Sequence, residues 1–95
     1  MRIAWTHRAL RRLNSIEDYI AKDSPPAARR VVDAIIERTT AALRSNPSLG
    51  RLGLAKGTRE FVLATLPYIV VYRVSDRVEI ITIRHTAQDW PGDDS

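Results

Sequence analysis

The apolar residues of this 95-residue chain change their period once. As far as Leu43 they recur three and four positions apart; from Thr58 onward β-branched and aromatic residues gather in short runs. A period near 3.6 lays one stripe along a helix, and a period of two lays one face along a strand. Helices must therefore come before most of the strands, and such a succession predicts an α+β fold.

Leu10, Leu13, Ile16 and Ile20 make the first stripe, bordered by Tyr19, and predict a helix from His7 to about Lys22. Thr6 stands where an N-cap is needed, and ahead of it Ile3 and Trp5 alternate as a short extended segment. Asp23-Ser24-Pro25-Pro26 interrupts the stripe, with Ser24 as a cap and proline tolerated in the next first turn. Ala28, Val31, Val32, Ile35, Ile36, Thr39 and Leu43 then mark a second helix, from Pro25 to about Arg44. So short a connection makes the two an antiparallel hairpin. Ser45-Asn46-Pro47 ends it, because the residue before proline resists the helical region.

Residues 47–57 read as the one long loop, with Arg51 and Lys56 between its glycines, and long loops tend to meet partners. Strands follow at Thr58–Thr65, Tyr68–Val74 and Arg77–His85, parted by tight turns. The expected architecture is β-α-α-β-β-β: a helix hairpin on one face of a four-stranded, mainly antiparallel sheet. One domain would span residues 1–91, with a frayed acidic tail at 92–95. The middle strand is apolar on both faces, Tyr68, Val70, Tyr72 and Val74 against Ile69 and Val71. Two helices cover one face only, so loop and tail (Trp90), a second copy or a partner must cover the other.

The net charge of +4 understates how basic the body is, because Asp89, Asp93 and Asp94 stand among the last seven residues. Lys22 and Lys56 are the only lysines; the other 13 basic residues are arginine, which suits planar contact with phosphate or carboxylate. The balance favours an anionic macromolecule, through a basic helical surface of Arg8, Arg11, Arg12, Arg29 and Arg30, or leaves these side chains solvated. Cysteine is absent, which rules out disulfides and thiolate metal sites. Lacking a signal-like start or an apolar run long enough to span a bilayer, the chain is expected to be cytoplasmic, with no membrane contact. No phosphate loop, metal-spaced cluster or nucleophile elbow occurs, so no cofactor and no metal are expected.

Several local motifs, in their order along residues 2–91, resemble the RelE/ParE toxin superfamily and its ParE-like branch in particular. They are Trp5-Thr6 with Ala9 and Leu13, Asn46-Pro47-Ser48-Leu49-Gly50-Arg51, and Gly57-Thr58-Arg59-Glu60. Pro67-Tyr68-Ile69-Val70-Val71-Tyr72-Arg73 and Ile83-Arg84-His85 with Gln88-Asp89-Trp90 complete the set. The resemblance implies a toxin neutralised by a cognate antitoxin in a hetero-oligomer. The antitoxin's C-terminal segment wraps the toxin, and its N-terminus binds operator DNA. It also implies one of two targets. ParE-like members poison DNA gyrase, and RelE-like members cut mRNA in the ribosome.

Metal-free RNA cleavage needs a base, an acid and cations around the phosphorane. His85 with Arg59, Arg73 and Arg84 would be that set. The resemblance argues against it, since RelE-like nucleases carry lysines where this chain has Glu60, Phe61 and Val62. They also carry an arginine where Ile69 follows Tyr68, and a catalytic tyrosine near the position of Asp89-Trp90. The favoured expectation is a gyrase-directed toxin; an mRNA interferase and an inactive toxin that still binds antitoxin are the alternatives. Candidate contacts with target or antitoxin are Arg51, Lys56, Arg59, Phe61, Tyr68, Arg73, Arg84, His85 and Trp90. Arg59 would clamp an anion or pair with Glu60. An apolar edge of Leu10, Ile36 and Leu43 would receive an antitoxin helix, or else belong to the core.

Overall fold

The structure, a computed structural model, describes residues 1–87. Strand β1 (Ile3–Trp5) leads into helix α1 (His7–Ala21), helix α2 (Pro25–Ser45) and strands β2 (Arg51–Leu52), β3 (Arg59–Val62), β4 (Tyr68–Val74) and β5 (Val78–His85). The sheet order is β1-β5-β4-β3-β2, with β1 parallel to β5 and every other pair antiparallel. Both helix starts follow from their caps. Thr6 Oγ1 accepts the Ala9 N–H at 3.1 Å and Ser24 Oγ accepts the Ala27 N–H at 3.2 Å, each meeting one orphan donor of a first turn.

The sheet has five strands where four were expected. Within the predicted loop, Arg51 and Leu52 pair with Glu60 and Arg59, and the Gly53 N–H donates to Thr58 O at 2.8 Å. Both β2 residues are exposed, so no alternation betrayed them. Strand β3 also ends at Val62, short of the expected Thr65, because the chain turns there and the Leu63 N–H reaches Tyr68 O. A register shift between Val71 and Tyr72 sets Tyr72 opposite Ile80 after Val71 opposite Thr82, leaving Ile81 as the extra residue of a bulge.

The core lies between the hairpin and one sheet face. Ala9, Leu13, Ile16, Val32, Ile35 and Leu43 meet Leu63, Tyr68, Val70, Tyr72, Val78, Ile80 and Ile83. Trp5 packs against this cluster from the edge. Ile69 and Val71 are buried on the opposite face, as the two-sided pattern of that strand required. Trp90, expected to help cover that face, lies outside the described residues.

Tyr72, fully buried in the middle of β4, secures the chain after α2. Its hydroxyl donates to Pro47 O at 2.8 Å and accepts the Gly50 N–H at 2.8 Å. Only glycine fits beside it: a Cβ at position 50 would stand 2.7 Å from the Tyr72 oxygen and 2.8 Å from Glu60 O. Tyr72→Phe keeps the ring and strands a buried amide. It is expected to cost about 1–3 kcal/mol, read as a lower urea midpoint at unchanged slope. An unaltered midpoint would show that the hydroxyl holds nothing.

Candidate partner-binding site

The residues proposed for RNA chemistry do not come together. By strand alternation Arg59 and His85 face the hairpin side, while Arg73 and Arg84 face the other. Arg59 stands opposite Tyr72 and His85 opposite Tyr68, four residues apart along β4, or ~13 Å at the rise of a strand. Arg59 bonds to main-chain oxygen and not to Glu60. Its Nη1 donates to Gly50 O at 2.8 Å and to Ser48 O at 3.4 Å, tying down the same loop as Tyr72.

Glu60 belongs to two other arginines. Arg84 Nη2 lies 3.0 Å and Arg51 Nη2 3.2 Å from its Oε1, with Glu60 and Arg84 both buried. Burying a carboxylate is costly without such partners, so Arg84 offsets a buried charge of the fold. Arg73 is exposed on the outer face, and Lys56 is exposed in the turn between β2 and β3. Phe61 is half-buried against the core and, with Leu49, Gly50, Arg51, Glu60 and Val62, lines a hollow of about 300 Å³ at the β3 edge. The apolar helix edge is not assembled: Leu10 is exposed, Ile36 partly packed and Leu43 wholly buried. Of the basic helical surface, Arg29 is held by Glu17 and Asp33.

A larger cleft, of about 440 Å³, opens between the second half of α1 and the ends of β4 and β5. Arg12, Ser15, Ile16 and Tyr19 line one wall, and Tyr68 and His85, opposite each other in register, line the other. Spacings of three and four put the helical residues on one face. Sequence reasoning singled out Tyr68 and His85 but not this helical wall. The spacing was visible; that the strand ends would lie beneath it was not.

The Arg12 guanidinium is fixed by its Nε, which donates to Ile83 O at 2.8 Å. The Tyr68 and His85 rings meet edge to face, 5.3 Å between centroids at 86°. Burial pushes the Tyr68 phenol above its ordinary pKa; Arg12 opposes this and Tyr19 adds to it, so the three groups feel one another across the cleft. His85 Nδ1 accepts the Ala87 N–H at 3.0 Å. With Nδ1 accepting, Nε2 is the ring nitrogen that carries a hydrogen. The cleft holds a cation, phenols and a hydrogen-bonding imidazole around an apolar floor. It can recognise a polar group. Among the described residues it has no assembled general base, and no three metal-ligating side chains cluster.

Residues 3–90 match the family model of the ParE toxin of the type II toxin–antitoxin system parDE. The chain belongs to this family. It is a toxin of a type II toxin–antitoxin system. “Putative toxin Y4kP” of Sinorhizobium fredii is 56% identical over 90 residues, covering 95% of this chain and 93% of that protein. Toxin RelE2 of Caulobacter vibrioides is 43% identical over 88 residues, covering 90% of this chain and 96% of its own length. Among solved structures, the chromosomal ParDE system of P. aeruginosa superimposes with a TM-score of 0.79 at 28% identity, over 90% of this chain and 95% of that one. The RelBE2 toxin–antitoxin complex of Mycobacterium tuberculosis shares the fold, with a TM-score of 0.67 at 23% identity over 88% and 95% of the two chains.

The structural assignment of Arg84 is open to a double-mutant cycle. Glu60→Gln and Arg84→Gln are each expected to destabilise the ParE-family chain, with a coupling of about 1–3 kcal/mol in urea unfolding. Simple additivity would release Arg84 for another role.

Proposed function

We propose that this toxin arrests growth by binding an essential protein, DNA gyrase, and is silenced by a cognate antitoxin that occupies its surface. One observation carries the reading: the candidates for RNA chemistry do not converge, since Arg59 and His85 stand four β4 positions apart on one sheet face and Arg73 and Arg84 lie on the other. Arg59 is spent on loop carbonyls, Arg84 on Glu60, and Arg73 faces away. RNA cleavage asks for several cations converging on a phosphorane, and among the described residues the guanidinium that lines the cleft with His85 is Arg12. Recognition asks less, and the cleft, the basic composition and the exposed Leu49, Leu52 and Leu54 near the β2 edge all suit it. The antitoxin partner is supported by the toxin–antitoxin systems to which the structural relatives belong.

The Caulobacter relative bears a RelE name, so the nuclease reading is tested alongside. Purified toxin is to be added to a gyrase supercoiling assay and, separately, to translated mRNA followed by primer extension. Inhibited supercoiling with uncut message is the expected result. Codon-register cuts with unaffected gyrase would make this a ribosome-dependent interferase, and inactivity in both would leave antitoxin binding and co-repression as its function.

A further inference from the structure

The cleft between α1 and the strand ends holds two polar groups with unmet capacity. Tyr68 is 7% exposed, yet among the described residues its hydroxyl makes no hydrogen bond. Its ring is buried while its hydroxyl opens into the cleft, which leaves that hydroxyl available to a ligand there. Arg12 is the second. Its Nε is anchored on Ile83 O, which holds the guanidinium in place, and no carboxylate of the described residues pairs with its terminal nitrogens. A guanidinium held by one edge presents the remaining nitrogens as a fork. Ser15 adds a hydroxyl to the same wall, and Ile16 gives the cleft an apolar floor.

We propose that this cleft is a carboxylate site that takes an acidic side chain of the antitoxin. The inference rests on the antitoxin reading above and names the place and chemistry of one of its contacts. Arg12 supplies the single positive charge that one carboxylate needs, and Tyr68 donates to the same group. Ile16 and the rings of Tyr19, Tyr68 and His85 receive the methylenes that carry the carboxylate. A nucleic-acid strand fits less well, because its phosphates come in series and Glu17 and Asp18 stand on the helical turn that carries Tyr19. The hollow at the β3 edge is a poorer anion site, since Glu60 already balances Arg51 there.

Tyr68→Phe is the discriminating variant. It removes an unpartnered hydroxyl and keeps the ring against His85, so the free toxin should unfold at an unchanged temperature. Its affinity for the co-encoded antitoxin, by calorimetry, should fall about tenfold, and that of Arg12→Gln by about tenfold or more. In parallel, 3-phenylpropionate and phenyl phosphate are titrated into the wild-type toxin while the Tyr68 and His85 ring protons are followed by NMR. Selective shifts with the carboxylate support the site. Unchanged antitoxin affinity in both variants overturns it, as do shifts with phenyl phosphate alone or with neither probe. If the wild-type toxin binds no antitoxin while the carboxylate probe still shifts these rings, the antitoxin reading fails and the carboxylate site stands.

Discussion

The free edge of β5 is the constraint on which this fold turns. That strand has eight residues, and β1 covers only Val78, Glu79 and Ile80 on one side. The edge carbonyls from Ile80 onward need donors, and the chain supplies them from the cap and first turns of α1. Thr6 donates its hydroxyl to Ile80 O at 2.7 Å and its N–H to the same oxygen at 3.2 Å, while Oγ1 caps α1. Two turns on, Arg12 reaches Ile83 O. Edge carbonyls left bare invite another strand or go unsatisfied; here they dock a helix. With α1 held at both points, its next turns pass beside the last residues of β5, and the cleft forms between them.

The same use of polar side chains on backbone explains why composition misleads about arginine. Thirteen arginines suggested a chain built to meet anions. Arg12 and Arg59 instead bond main-chain oxygen, Arg84 and Arg51 share a glutamate, Arg77 pairs with Glu79 and Arg29 with two acids of the hairpin. Much of the basic character is thus internal bracing. What remains for a partner is a matter of position, and Arg12 is informative because one edge of it is anchored and the other unpaired.

Both helices, their caps and the two long strands were legible from periodicity and turn residues, since each buries one stripe or face with few exceptions. The burial of both faces of β4 was legible for the same reason, in Ile69 and Val71 opposite Val70 and Tyr72. Strand β2 was not, because two exposed residues pair by register alone. Nor were the partners of Arg59 and Arg84, which depend on how a loop returns to the sheet and on which residues meet across three strands. Tyr68 and His85 were recognised as candidates from the family-like motifs. Arg12 was named only as part of a basic helical surface, and its place with Ser15 and Tyr19 opposite them was missed because the contact joins segments about fifty or more residues apart, and no local pattern encodes it.

The proposed function is recognition by a preformed surface, with the helix docked on the β5 edge as its frame. Amide hydrogen exchange of the toxin, free and with its antitoxin, tests that claim most directly. Slowed exchange is predicted together in three places: residues 12–23, the start of β4 and the end of β5. A footprint confined to residues 47–62, with α1 unaffected, would move the recognition surface to the opposite edge and contradict the account.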